Sequence, residues 1–296
     1  MFCIWISLPL HGVFTIVQMM RLFNKTSFLL FVMLALPIWA TAQTNVIRQF
    51  NVQRSEECPA VLHVFFPEVG KASGRAVLDC PGGGYDHLSM QNEGTDWAEY
   101  FTSRGVVFAI LEYRMPQGNP DIPVSDALWG IRTLRDSAQV WHINPHDVGI
   151  MGFSAGGHLA STVCAQAEAD ALPDFSILFY PVITMGTEGQ HEGSCKNFLG
   201  EQRDNEEMQQ LYSNDLQVQS GLTPPVIILL ANNDRGVPPV TNGIAYYTTM
   251  QLSGNNCTLH VYPQGGHGFG MRESFPHHRQ MLSDLSEWLE YIKPKN

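Results

Sequence analysis

No metal-binding signature is present. The chain has neither a C-x-x-C pair nor an H-E-x-x-H helix, so a structural or catalytic zinc is not expected, and no other cofactor motif stands in its place. Cysteine is too sparse and too irregular for a disulfide framework. Beyond residue 43 the cysteines are Cys58, Cys80, Cys164, Cys195 and Cys257, an odd set in a long chain. Cys80 and Cys164 fall on an expected strand and an expected helix, where a free thiol behaves as a small hydrophobe. Basic clusters are missing as well. Only 15% of residues are charged and the net charge is -11. Arg21 and Lys25 are the only charged residues among the first 42, so the remainder carries 15 basic against 28 acidic residues. Such a surface repels nucleic acid and anionic lipid and suits a neutral or cationic substrate. No internal repeat, low-complexity segment or bilayer-length apolar run appears.

The longest apolar stretch of the N-terminus, Phe28 to Trp39, has the length of a signal-peptide core. Arg21 and Lys25 precede it, and Ala40-Thr41-Ala42 supplies the small residues that a signal peptidase reads. Residues 1–42 therefore read as a leader cleaved before Gln43, with no stable membrane anchor. Met19 and Met20 offer alternative starts, which would make residues 1–18 an upstream extension. An uncleaved anchor is the alternative. Either reading places residues 43–296, taken as one catalytic domain, outside the cytoplasm, secreted or periplasmic. Nothing in the sequence bears on oligomeric state.

What is present is an alternation of apolar and amphipathic segments. Strands are expected at Val61–Phe66, Ala76–Cys80, Val106–Tyr113, Val148–Met151, Phe175–Tyr180, Val226–Ala231 and Leu259–Tyr262. Helices are expected at Thr95–Arg104, Val124–Gln139, Gly157–Ala167, Val240–Leu252 and His277–Ile292. Continuously apolar strands imply a sheet covered on both faces, and strand–helix alternation implies parallel order. The expected class is α/β, a doubly wound, mostly parallel sheet with helices on both faces. The polar stretch from Thr184 to Gly221, with a helix expected at Glu201–Leu211, reads as an insertion over or beside the site.

In such sheets ligands bind at the carboxyl ends of the strands, and the reactive residue types fall there. Gly152-Phe153-Ser154-Ala155-Gly156 sits between a strand and a helix, the sequence form of a nucleophile elbow. Serine needs a base to take its proton, and a histidine that acts as base needs a carboxylate to fix its tautomer. Asp234, after the strand ending at Ala231, and His267, in a glycine-rich loop after Tyr262, supply both types in the order Ser…Asp…His. Asp215 and Asp204 lie in the irregular insertion without a preceding strand. His158 belongs on its helix in a packed or capping role. His277 and His278 read as surface residues, and His87 as surface or rim. Pro81-Gly82-Gly83-Gly84-Tyr85 follows another strand, and its backbone N–H groups suit an oxyanion. Gly82, Gly83 and Ala155 are the expected donors. Tyr85, Phe153 and Phe269 flank these parts and are candidates for a small apolar acyl pocket or a sugar-stacking wall, core packing being the alternative for Phe153.

These residues resemble the α/β-hydrolase carbohydrate esterases and their esterase/lipase relatives, including acetylxylan-esterase-like and feruloyl-esterase-like proteins. The matching pieces are Cys80 to Tyr85, Glu112-Tyr113-Arg114, Asp147 to His158, Asp234 to Pro239 and Tyr262 to Gly270. The resemblance spans residues 60 to 292. Pro81 departs from the His that precedes the glycines in hormone-sensitive-lipase-like relatives, which moves the resemblance toward the secreted carbohydrate-acting group. It implies a secreted serine esterase acting on an acylated carbohydrate or small ester, most simply deacetylating xylan. A feruloyl esterase, a prolyl-oligopeptidase-type peptidase of the same catalytic order, and a non-catalytic binding module on a hydrolase scaffold are the alternatives.

Overall fold

Runs of Val, Ile, Leu and Phe that are apolar on both sides can only be satisfied between two layers, and the computed structural model places them there. It describes residues 48–292 and Pro294. The expected leader over residues 1–42 and its cleavage point before Gln43 lie outside the described residues. Eight strands form one sheet in the order β1-β2-β4-β3-β5-β6-β7-β8. They are β1 (Arg48–Gln53), β2 (Val61–Phe66), β3 (Ala76–Cys80), β4 (Val107–Glu112), β5 (Val148–Phe153), β6 (Ser176–Phe179), β7 (Val226–Ala231) and β8 (Cys257–Tyr262). β2 is antiparallel to β1 and β4, and every other pairing is parallel.

The helices are α1 (Ala98–Thr102, after a 3-10 turn at Thr95–Trp97), α2 (Asp121–Asp136), α3 (Ala138–Trp141), α4 (Ala155–Gln166), α5 (Glu192–Leu199), α6 (Glu206–Leu211), α7 (Gly243–Leu252) and α8 (His278–Tyr291). One face of the sheet, bearing Leu78, Ala109, Ile150 and Ile228, packs against α2, α4 and α7 through Ile131, Leu159 and Met250. The other, bearing Val77, Phe108, Phe153 and Phe179, packs against α1 and α8 through Phe101 and Leu285. Burying a side chain of this size contributes roughly 1.5–3 kcal/mol. Phe101, Phe108, Phe153, Phe175 and Phe179, all at 0% exposure, therefore hold the second face firmly.

Two elements go beyond the sequence pattern. β1 carries only Phe50 and Val52 as apolar residues, too weak an alternation to announce a strand; among the described residues it is an antiparallel edge that pairs with β2 alone. The insertion is more ordered than expected. It holds α5, and the helix expected over Glu201–Leu211 is instead a 3-10 turn (Gly200–Asp204) followed by α6, separated at Asn205. The Asn205 side chain accepts from the N–H groups of Glu207 and Met208 and so starts a new helix. No helix among the described residues is long and apolar enough to cross a membrane.

Candidate active site

β5 runs to Phe153, so Ser154 stands at the turn into α4. Its backbone lies at φ 52° and ψ -119°, a region that residues with a Cβ avoid at about 1–3 kcal/mol. The turn closes because its neighbours are glycines. A Cβ on Gly156 would overlap the Cys80 carbonyl, and one on Gly152 would overlap the Gly156 carbonyl. The hydroxyl thus projects at the N-terminus of α4, where backbone N–H groups have no helical partner.

The three residues separated along the chain meet. Ser154 Oγ lies 2.8 Å from His267 Nε2, and His267 Nδ1 lies 2.7 Å from Asp234 Oδ2. An ionised Asp234 can only accept, so Nδ1 carries the proton and Nε2 accepts from the serine hydroxyl. Asp234 is 6% exposed, and its other oxygen accepts from the N–H groups of Gly236 and Val237, each at 2.9 Å. Asn233, which sequence reasoning passes over, fixes the histidine loop: its Oδ1 accepts from Gly265 and Gly266, each at 2.9 Å.

The glycine loop closes against the serine. A Cβ on Gly82 would lie 3.1 Å from Ser154 Cβ. Its backbone groups can be accounted for singly. Tyr113 donates to the Pro81 carbonyl (2.7 Å), Ser89 N to that of Gly82 (2.9 Å), Asp86 N to that of Gly83 (3.1 Å), and Asn197 Nδ2 to that of Gly84 (2.9 Å). Gly82 N–H, expected as an oxyanion donor, is corrected: it donates to the buried carboxylate of Glu93 at 2.9 Å and is not free. Among the described residues the N–H groups of Gly83, Gly84 and Ala155 have no protein acceptor. Gly84 N–H is thus open where Gly82 N–H is engaged.

The aromatic wall is a second correction. Phe153 and Phe269 are 0% and 2% exposed and lie in the core beside Phe179. Tyr85, 1% exposed, packs between Tyr113 and Phe198 and bonds His158 Nδ1 at 2.8 Å. Phe153 and Phe269 therefore belong to the core, while Tyr85 also lines a cavity beside the glycine loop. The alternation along β5 explains Phe153: it shares the face of Met151, turned toward α1 and α8.

The other histidines and carboxylates stay apart from the triad. His158 is fully buried and bridges Tyr85 to the Tyr212 carbonyl (2.8 Å), a packed role, and burial of the charged form lowers its pKa to about 4. His87 is exposed beside Asp86. His277 and His278 are half-buried rather than free at the surface, and His277 stacks on Tyr262 at 5.6 Å. Asp215 sits in the 3-10 turn Asn214–Gln217, and Asp204 lies at the surface next to Arg203. The sequence reading missed His191, the N-cap of α5. A Cβ on Gly84 would lie 3.8 Å from its Cε1, and burial together with His267 lowers its pKa. Among the described residues no group of His, Cys, Asp and Glu is arranged to hold a metal ion.

The profile of the alpha/beta hydrolase fold family matches residues 77–271, from β3 to the histidine loop. The chain belongs to that family. Within the α/β-hydrolase fold, it is 46% identical over 254 residues to an acetylxylan esterase of Xylanibacter ruminicola, covering 85% of this chain and 52% of that protein. The chain thus spans about half the length of that relative. Among solved structures, an acetyl ester-xyloside bifunctional hydrolase from Caldicellulosiruptor lactoaceticus superposes with a TM-score of 0.71 at 29% identity, over 85% of this chain and 94% of that one. The butyrate-bound esterase Est2 of Thermogutta terrifontis superposes with a TM-score of 0.69 at 26% identity, over 86% and 98%.

Proposed function

We propose that this protein is a secreted or periplasmic serine esterase that removes short acyl groups, acetyl foremost, from xylan or a related plant polysaccharide. The observation that carries the reading is the continuous line Asp234–His267–Ser154, with donor and acceptor in order at 2.7 and 2.8 Å. Ser154 attacks the ester carbonyl while His267 takes its proton. Asp234 holds the ring and offsets the charge of the imidazolium. The N–H groups of Gly83, Gly84 and Ala155 receive the oxyanion, where one such donor contributes roughly 2.7–4 kcal/mol. His267 then protonates the leaving alcohol, and water, activated by the same ring, releases the acid from the acyl-enzyme.

Three observations support the acyl and sugar assignments. One relative bears the name acetylxylan esterase, and the chain matches 52% of its length. A solved neighbour holds butyrate. A cavity of about 690 Å³ also adjoins the glycine loop, lined by Tyr85, Asp86, Gln117, Lys196, Asn197 and Arg203 among others. None of its lining residues belongs to the triad, and Tyr85 ties it to the end of the glycine loop. Hydroxyl-rich sugar is the ligand that such a polar lining suits.

Release of acetate and of ferulate from native xylan, measured beside short-chain p-nitrophenyl esters and an aminoacyl-proline amide, tests the assignment. Acetate release with acetate-ester turnover is expected. Ferulate without acetate would overturn the acyl group, and cleavage of the amide alone would overturn the reaction class. Removing a sugar contact in the cavity with Lys196→Ala is expected to raise KM on acetylated xylo-oligosaccharides about threefold to tenfold, the worth of one hydrogen bond. Turnover of p-nitrophenyl acetate should not change. An unaltered oligosaccharide KM would remove the cavity from the substrate path.

A further inference from the structure

We infer that Glu93 is a positioning residue that locks the oxyanion loop and the histidine loop into one register, so that the donors and the base reach the substrate carbonyl together. The inference rests on the serine-esterase reading above and extends it to a residue outside the triad.

Glu93 is 5% exposed, on the turn that follows the glycine loop. A buried carboxylate is costly unless donors surround it, and each of its oxygens has one. Oε2 accepts from Gly82 N–H at 2.9 Å and Oε1 from the Tyr180 hydroxyl at 2.7 Å. The Tyr180 oxygen in turn accepts from Gly270 N–H at 3.0 Å, at the far end of the histidine loop. The Tyr180 ring stands edge-on to the His267 ring with centroids 4.9 Å apart. Asn92 repeats the connection next door. Its Nδ2 donates to the Gly268 carbonyl (3.2 Å), and its own carbonyl accepts from Met271 N–H (3.2 Å).

One turn, Asn92-Glu93, therefore grips the backbone on both sides of the reacting atoms. Burial pushes the Glu93 carboxyl above its ordinary range, while the Tyr180 hydroxyl, the Gly82 N–H and the charges of His267 and Arg272 pull it down. Both donors favour the ionised form. Engaging Gly82 N–H also removes that amide from those left for the oxyanion. With that group turned to Glu93, the following amides of Gly83 and Gly84 are left without a protein acceptor.

A part that positions without touching substrate acts on the transition state more than on binding, and a displacement of about 1 Å costs on the order of 10²-fold in rate. For p-nitrophenyl acetate, Glu93→Ala is expected to lower kcat about 100-fold with KM within about threefold. Affinity for a boronic acid that forms a tetrahedral adduct on Ser154 should fall by the same factor as kcat/KM. Glu93→Gln keeps an oxygen for Gly82 N–H while its amide nitrogen can donate to Tyr180. It is expected to return kcat to within about tenfold of wild type. Tyr180→Phe removes the hydroxyl that joins Glu93 Oε1 to Gly270 N–H, leaves the Gly82 contact of Glu93 in place, and is expected to lower kcat about fivefold to tenfold at unchanged KM. It decides the matter if Glu93→Ala does not fold. The inference is overturned if the loss lies in KM, or if melting temperature drops while kcat at 25 °C is unchanged. It is also overturned if Tyr180→Phe equals wild type. Labelling of the wild-type protein by a fluorophosphonate is the separate control: absence of labelling at Ser154 would sink the esterase reading itself, whatever the Glu93 variants show.

Discussion

Ser154→Ala is expected to lower kcat on p-nitrophenyl acetate by roughly 10⁶-fold, with the melting temperature close to wild type. The size of the effect follows from the way the triad works as a unit. Without the hydroxyl, His267 Nε2 has no proton to accept and no acyl-enzyme forms. His267→Ala should cost about as much, and the double variant little more than either. Asp234→Asn should cost on the order of 10⁴-fold, because an amide in place of the carboxylate favours the wrong tautomer of His267. A residual rate about 10³–10⁴ above the uncatalysed one should survive in all of them, supplied by the amides of Gly83, Gly84 and Ala155. Rapid-mixing kinetics with the wild type should show a burst of p-nitrophenol wherever deacylation limits turnover. Retention of more than about a hundredth of wild-type kcat in Ser154→Ala would remove the serine from the mechanism.

Acid should weaken the fold through His158. Its ring is fully buried between Tyr85 and the Tyr212 carbonyl, and its pKa in the folded chain is about 4 against 6.5 when exposed. Above pH 6.5 both states hold it neutral and it contributes no pH dependence. Below pH 6.5 the unfolded chain takes up a proton that the folded chain refuses. Stability therefore falls by about 1.4 kcal/mol per unit until pH 4, a total on the order of 3 kcal/mol, and then levels off. Asp79 and Glu93 work in the opposite direction, since burial raises both and the folded chain protonates first as pH falls. Urea unfolding of the wild type and of His158→Gln at pH 7.5 and 4.5 separates the two effects. The wild type should lose about 2–3 kcal/mol more than the variant between these pH values. Equal losses would show that His158 is not the acid-sensitive group.

The parts that could be read from the sequence are those whose chemistry is local. Ser154, Asp234 and His267 each follow a buried apolar strand, and a strand end in a parallel sheet has one destination. The glycine loop was visible for the same reason. That its Gly82 amide is engaged was not, because the partner is Glu93. On the sequence Glu93 is an ordinary acidic loop residue, and only the fold brings it to Gly82. Phe153 and Phe269 are near reactive residues along the chain, but the fold turns both into the core. For Phe153, the two-residue period of β5 already placed it beside Met151 on the face away from α4. α5 had its apolar spacing in Cys195, Phe198 and Leu199, with His191 as cap, but it is short and set in a polar stretch. β1 offers only Phe50 and Val52, and its partner β2 supplies the order that its own residues do not.

The backbone at residue 154 has a consequence for adaptation. A glycine would occupy φ 52° and ψ -119° freely, while serine holds it at about 1–3 kcal/mol of strain. The inert form of this protein would therefore outlast the working one on heating. Heat tolerance and turnover pull against each other at this single position, and a laboratory selection that rewarded survival alone would drift toward a sturdier, silent molecule.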